Sequence, residues 1–109
     1  MDIIINNDQF DQLLGNNPLV LAYFSGPNCG VCDSLKPKVE QMVQQQFQQV
    51  RFVEIPTEQA PELSARFRVF TVPVVMFFVE GREYIREARS ISVYDLEQKM
   101  NKIVGLYED

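Results

Sequence analysis

The chain has no histidine and only two cysteines, Cys29 and Cys32. That pair cannot fill a four-ligand metal site, so a structural zinc or cluster would have to be shared between two chains. Basic residues are in the minority: ten Lys and Arg stand against fifteen Asp and Glu, for a formal charge of −5. Such a balance argues against a general nucleic-acid binder or an anchor for acidic lipid. Long hydrophobic runs are missing too. The longest, Val72 to Val79, is far too short to cross a bilayer. The start, Met1-Asp2-Ile3-Ile4-Ile5-Asn6, lacks the positive segment and apolar middle of a secretory signal, so the expected compartment is the cytoplasm. There a thiol pair is kept mostly reduced, and a purely structural disulfide is not expected. With five glycines and six prolines in 109 residues, and 46% hydrophobic residues, what remains is one ordinary globular domain, residues 1–109.

What is present is concentrated in Ser25-Gly26-Pro27-Asn28-Cys29-Gly30-Val31-Cys32-Asp33-Ser34-Leu35-Lys36-Pro37. An apolar stretch, Leu19 to Ser25, reads as a central strand covered on both faces. Behind the cysteines, Leu35, Val39, Met42, Val43 and Phe47 recur at helical spacing, with Pro37 inside the pattern. Cys-x-x-Cys at a strand-to-helix junction reads as a redox dithiol. A helix starting at the first cysteine would aim its unpaired N–H groups and the positive end of its dipole at the sulfur. That favours thiolate, the nucleophile of disulfide exchange. The alternative, two thiols that merely pack as small hydrophobes, sits poorly with the flanking Gly26, Pro27 and Gly30, which suggest a constrained turn.

Elsewhere the patterns are plain. Residues 2–5 read as an edge strand. Asn6 with Gln9 has capping-box spacing and opens a helix over about 7–14, stopped by Gly15. The glutamines from Gln44 to Gln49 read as the solvated face of the second helix. Val50 to Ile55 alternates as a strand ended by Pro56, with Val50, Phe52 and Glu54 on one side. Pro61 opens a short helix over about 60–68. Thr71-Val72-Pro73 leads into the apolar strand 74–79, Glu80-Gly81-Arg82 makes a hairpin turn, and 83–88 alternates. Ser92 and Asp95 cap a last helix faced by Leu96, Met100, Ile103 and Val104. Strands separated by helices and closed by a hairpin predict an α/β fold: a mixed central β-sheet with helices on both faces.

This chain resembles the thioredoxin family. The resemblance rests on the strand-to-Cys29-Gly30-Val31-Cys32 junction, Pro37 five residues after the second cysteine, Thr71-Val72-Pro73 before an apolar strand, and the Glu80-Gly81 turn. The offset of 41 residues from Cys32 to Pro73 fits as well. The resemblance covers nearly the whole chain and implies a thioredoxin fold and a protein-disulfide reductase without a bound cofactor or metal. It implies that Cys29 is the exposed attacking thiol and Cys32 the buried resolving one. Val72-Pro73 would be a cis peptide packed against the dithiol, with Val72 offering its backbone to an extended substrate. The substrate surface would comprise Asn28, Gly30, Val31, Thr71, Val72 and Arg89. The implied partners are disulfide-containing proteins and a reductase-like or thiol electron donor; neither nucleic acid nor membrane is expected, and the chain would be a monomer.

Several positions depart from the family pattern. Its tryptophan before the first cysteine is Asn28, its second central proline is Val31, and a glycine near the substrate groove falls on Arg89. Its buried carboxylate falls on Tyr23, and a lysine on the next strand falls on Glu54. One expectation is that Glu54 supplies the missing carboxylate and accepts the proton of the resolving thiol, with Tyr23 filling the vacated volume. The other is that Glu54 points to solvent and does nothing. Arg89 could likewise be a contact for acidic substrates or plain surface. A different class of function is also open: a docking module of the same fold with a vestigial or regulatory dithiol.

Overall fold

A computed structural model describes residues 2–109. Its elements follow the expected order: β1 (Asp2–Ile3), α1 (Asn7–Asn16), β2 (Leu19–Ser25), α2 (Gly30–Gln46), β3 (Arg51–Pro56), α3 (Pro61–Arg66), β4 (Val74–Val79), β5 (Arg82–Ala88) and α4 (Val93–Glu108). The sheet runs β1-β3-β2-β4-β5. β1 and β2 lie parallel to β3, whereas β2–β4 and β4–β5 are antiparallel, so the sheet is mixed.

β2 is the axis of this sheet. All seven of its residues are buried, and alternation along it sends side chains to two separate cores. Leu19, Leu21 and Tyr23 face α2 and α4 in a core with Phe52, Val75, Phe77, Leu35, Val39, Leu96 and Met100. Val20, Ala22 and Phe24 face α1 and α3, among Val53, Ile55, Met76, Phe78, Phe10 and Leu63. In the second core Phe10, Phe67 and Phe78 meet edge to face at centroid distances of 5.3–5.5 Å, the geometry that ring quadrupoles favour.

Local signals place most boundaries. The Asn6 side chain accepts from the Gln9 backbone N–H at 2.8 Å, while Gln9 Oε1 accepts from the Ile5 N–H. Ser92 accepts from the Asp95 N–H at 3.1 Å. Glu80 and Gly81 both have positive φ, 50° and 79°, the requirement of a two-residue hairpin turn that follows the strand twist. Several boundaries move: β3 is shifted one residue to Arg51–Pro56, so Pro56 belongs to the strand, and β5 already includes Arg82. α1 runs through Gly15 to Asn16, because Asn17 donates its amide to the Leu13 carbonyl at 2.9 Å and supplies the cap that glycine was expected to give. β1 covers only Asp2 and Ile3. α3 is shorter than the 60–68 reading, with Ala60 before it and Phe67 closing it.

Phe10 is fully buried in the second core, against Phe67 and Phe78. Phe10→Ala should therefore lower unfolding stability by about 3–5 kcal/mol in urea titration.

Candidate active site

The site is the end of β2 turned onto the start of α2. Ser25 closes the strand, and Gly26, Pro27 and Asn28 make the turn. Gly26 is required by packing: a Cβ there would lie 2.9 Å from Cγ2 of Val72. Asn28 sits at φ 54°, a left-handed conformation that a short polar side chain tolerates. Cys29 then caps α2. Its backbone is extended, its sulfur accepts from the Cys32 N–H at 3.1 Å, and its carbonyl accepts from the Asp33 N–H at 3.1 Å. The first helical residue is thus Gly30, with Cys29 half-buried at the cap and Cys32 one turn in, only 1% exposed.

The two sulfurs are joined in a disulfide, with the Cα atoms 5.2 Å apart. On reduction, the donor that holds Sγ of Cys29 would face a thiolate, and an N–H donor at a helix start stabilises that charge. Pro37 lies inside α2 and withholds the N–H that the Asp33 carbonyl would otherwise receive.

The second wall comes from the chain before β4. The Val72–Pro73 peptide is cis, Pro73 is buried, and Val72 packs against both cores while its side chain touches Gly26. Thr71 is exposed beside it, as are Gly30 and Val31, the latter 59% accessible on the rim of α2. Arg89 follows Ala88, which pairs with Val74 next to Pro73. That register puts exposed Arg89, at φ 63°, beside the same loop. The structure therefore brings Asn28, Gly30, Val31, Thr71, Val72, Pro73 and Arg89 around one end of the sheet with the cysteines.

Glu54 lies on β3 in register with Tyr23, on the α2 side. It does not point to solvent: its side chain is 15% exposed. Its carboxylate accepts from the Ser25 hydroxyl at 2.8 Å and pairs with Lys36 at 3.2 Å. Tyr23 fills the core position expected of it, and its hydroxyl donates to the Cys32 carbonyl at 2.8 Å. Burial, then the charges of Glu54 and Asp33, push the Tyr23 phenol up to about 12. It is thus a fixed donor at neutral pH rather than a base.

Ser25 and Lys36, which converge on Glu54, were not singled out in the sequence, and neither was the exposed Phe70. Lys36 stands one helical turn after Cys32, a spacing that could have placed it near the site. Phe70 is 83% exposed, two residues before Val72, with no periodicity to single it out. Among the described residues, no three His, Cys, Asp or Glu side chains converge to hold a metal ion, and no helix is long and apolar enough to cross a membrane.

A five-stranded mixed sheet with a Cys-x-x-Cys at its central strand-to-helix turn, faced by a cis-proline loop, defines a thioredoxin-fold protein. The thioredoxin family model matches residues 2–102, and the chain belongs to that family. It is 40% identical over 86 residues to the thioredoxin-like protein YdfQ of Bacillus subtilis, covering 79% of this chain and 76% of that one. It is 34% identical over 82 residues to the thioredoxin of Mycoplasmoides gallisepticum, covering 75% and 81%. Among solved structures, the oxidized mitochondrial thioredoxin 3 of Saccharomyces cerevisiae superposes with a TM-score of 0.85 at 20% identity, over 94% of both chains, a likeness of fold. Family and cysteine pair mark the chain as a thiol–disulfide oxidoreductase in the general sense.

Because the folded state raises the Tyr23 value, it binds that proton more tightly than the unfolded chain does. The resulting stability is fully present below the ordinary phenol value near 10 and is lost as pH rises through about 12. Spectrophotometric titration of Tyr23→Phe should lack the latest-ionising phenol step. Its urea stability should fall less than that of the wild type across the same alkaline interval.

Proposed function

We propose that this protein reduces disulfide bonds in protein substrates through the Cys29–Cys32 dithiol. The carrying observation is the asymmetry of the pair: a half-buried Cys29 at a helix cap, bonded to a buried Cys32 one turn in. In the reduced protein the Cys29 thiolate attacks one substrate sulfur. An S–S bond forms between enzyme and substrate, and the other substrate sulfur leaves as a thiolate that takes up a proton. The Cys32 thiol then loses its proton, and its sulfur attacks Cys29. The mixed disulfide breaks, the second substrate thiol is released, and the enzyme is left with its internal disulfide. Two electrons from a reductase-like protein or a thiol pool restore the dithiol.

In this reading Asn28, Gly30, Val31, Thr71, Val72 and Arg89 meet the substrate, and Pro73 keeps a backbone donor away from the sulfurs. Val72 offers backbone polar groups to an extended segment. Glu54 takes the proton of Cys32; its low exposure and the reach of its charge to Tyr23, bonded to the Cys32 carbonyl, support that assignment. A reducing compartment, the cytoplasm, suits a chain whose only cysteines are this pair. We take it to work as a monomer, binding neither nucleic acid nor membrane.

Insulin disulfide reduction tests the reading. The wild-type protein should turn over with a thiol reductant, and Cys29→Ser should reduce activity to background. A wild type no faster than Cys29→Ser would leave a docking module instead. Glu54→Gln should slow turnover by about tenfold or more across about pH 6–9, the interval around the ordinary thiol value. Unchanged rates there would remove Glu54 from proton transfer.

A further inference from the structure

Ser25 precedes Cys29 by four residues and Lys36 follows Cys32 by four, and both side chains converge on one carboxylate. Ser25 Oγ donates to Glu54 Oε2 at 2.8 Å, and Lys36 Nζ donates to Oε1 at 3.2 Å. Glu54 belongs to β3, which lies directly beside β2. A third tie joins the same strand end: the Ser25 carbonyl accepts from both the N–H and the hydroxyl of Thr57, at 2.8 and 3.0 Å. The segment that carries the dithiol is thus held to β3 and the residue beyond it on both sides.

We infer that Ser25, Glu54 and Lys36 form a charge-balanced brace beneath the dithiol, in which Lys36 is a positioning residue that offsets the Glu54 charge and so sets the balance between dithiol and disulfide. The inference deepens the proposed reaction and rests on the same cysteine pair, but it concerns an equilibrium rather than a rate.

Exposure separates this pair from an ordinary surface ion pair. Exposed pairs contribute little because water screens them. Here the Glu54 side chain is 15% and the Lys36 side chain 31% exposed, and both carboxylate oxygens are engaged. The charge of Glu54 is felt at the Tyr23 hydroxyl, which touches the Cys32 backbone. Asp33 is the other acidic group felt there, and it has no ion-pair partner within 4.0 Å among the described residues. Removing Lys36 would leave Glu54 and Asp33 as two acidic charges around a site that must carry a thiolate when reduced. Like charge disfavours the thiolate and with it the reduced state.

The test is equilibration with glutathione at about pH 8, near the ordinary thiol value, where thiolate is populated. The reaction is dithiol plus glutathione disulfide giving enzyme disulfide plus two glutathione thiols, read as the fraction of enzyme oxidised. Lys36→Gln should move the equilibrium constant toward enzyme disulfide by about threefold to tenfold, the size of one unit charge acting across a partly screened gap. Lys36→Glu should move it further in the same direction. The exchanged pair, Lys36→Glu with Glu54→Lys, should return to within about twofold of wild type, since the pair is rebuilt with its ends reversed. A wild-type equilibrium in both Lys36 variants, or an exchanged pair that keeps the full Lys36→Glu shift, would overturn the brace. Failure of the wild type to reduce insulin would instead strike the proposed function, leaving the glutathione result intact.

Discussion

One hydrogen bond organises this molecule: the donation from the Cys32 backbone N–H to the sulfur of Cys29 at 3.1 Å. It makes a cysteine do what serine or asparagine does at the head of other helices, as Asn6 and Ser92 do here. The cap must stand at the base of a helix and only a short turn beyond the end of a strand. That requirement explains a fully buried β2 aimed at the site, a turn with glycine and a left-handed asparagine, and a helix whose first turn holds the second sulfur. Structural need and chemical need fall on the same atom.

The surroundings of that atom are built on the pair Tyr23 and Glu54, in register on neighbouring strands. Tyr23 sits in the core as a neutral donor, gripping the Cys32 carbonyl, and the acidic group, Glu54, stands beside it on β3. A tyrosine brings bulk and a fixed hydrogen bond but no titration in the physiological range. A glutamate on β3 brings charge, and it needs a cation because β3 is mostly buried. Lys36, reaching from α2, meets that need. Tyr23, Glu54, Lys36 and Ser25 thus form one connected set beside the dithiol, tied by the Tyr23–Cys32, Ser25–Glu54 and Lys36–Glu54 hydrogen bonds.

Much of this was legible in the residues alone. Continuous apolar runs marked β2 and β4, alternation marked β3 and β5, and helical stripes with caps or Pro61 marked the helices. The cysteines, the Val72-Pro73 dipeptide and the likeness to thioredoxins pointed to the same end of the sheet. Boundaries failed where a side chain supplied what the backbone rule assigned to another residue, as when Asn17 capped α1 past Gly15. Lys36 was missed for a different reason. On a helical pattern it counts as one more polar residue, and only the register of β3 against β2 reveals that a carboxylate waits within its reach. The surroundings of Glu54 were undecidable for the same reason: one residue of slippage would have sent it to the opposite face of the sheet.

The sheet also acts as a partition. Phe10, Phe67 and Phe78 lock α1 and α3 to one face, while the dithiol, Tyr23 and Glu54 belong to the other. Much of the cohesion of the domain thus resides on a side that the reacting sulfurs never see. A library randomised within that aromatic layer would sample fold robustness almost independently of chemistry, whereas one randomised beneath α2 would vary both together. Such a protein offers a natural scaffold for separating how firmly a domain holds its shape from how readily it exchanges electrons.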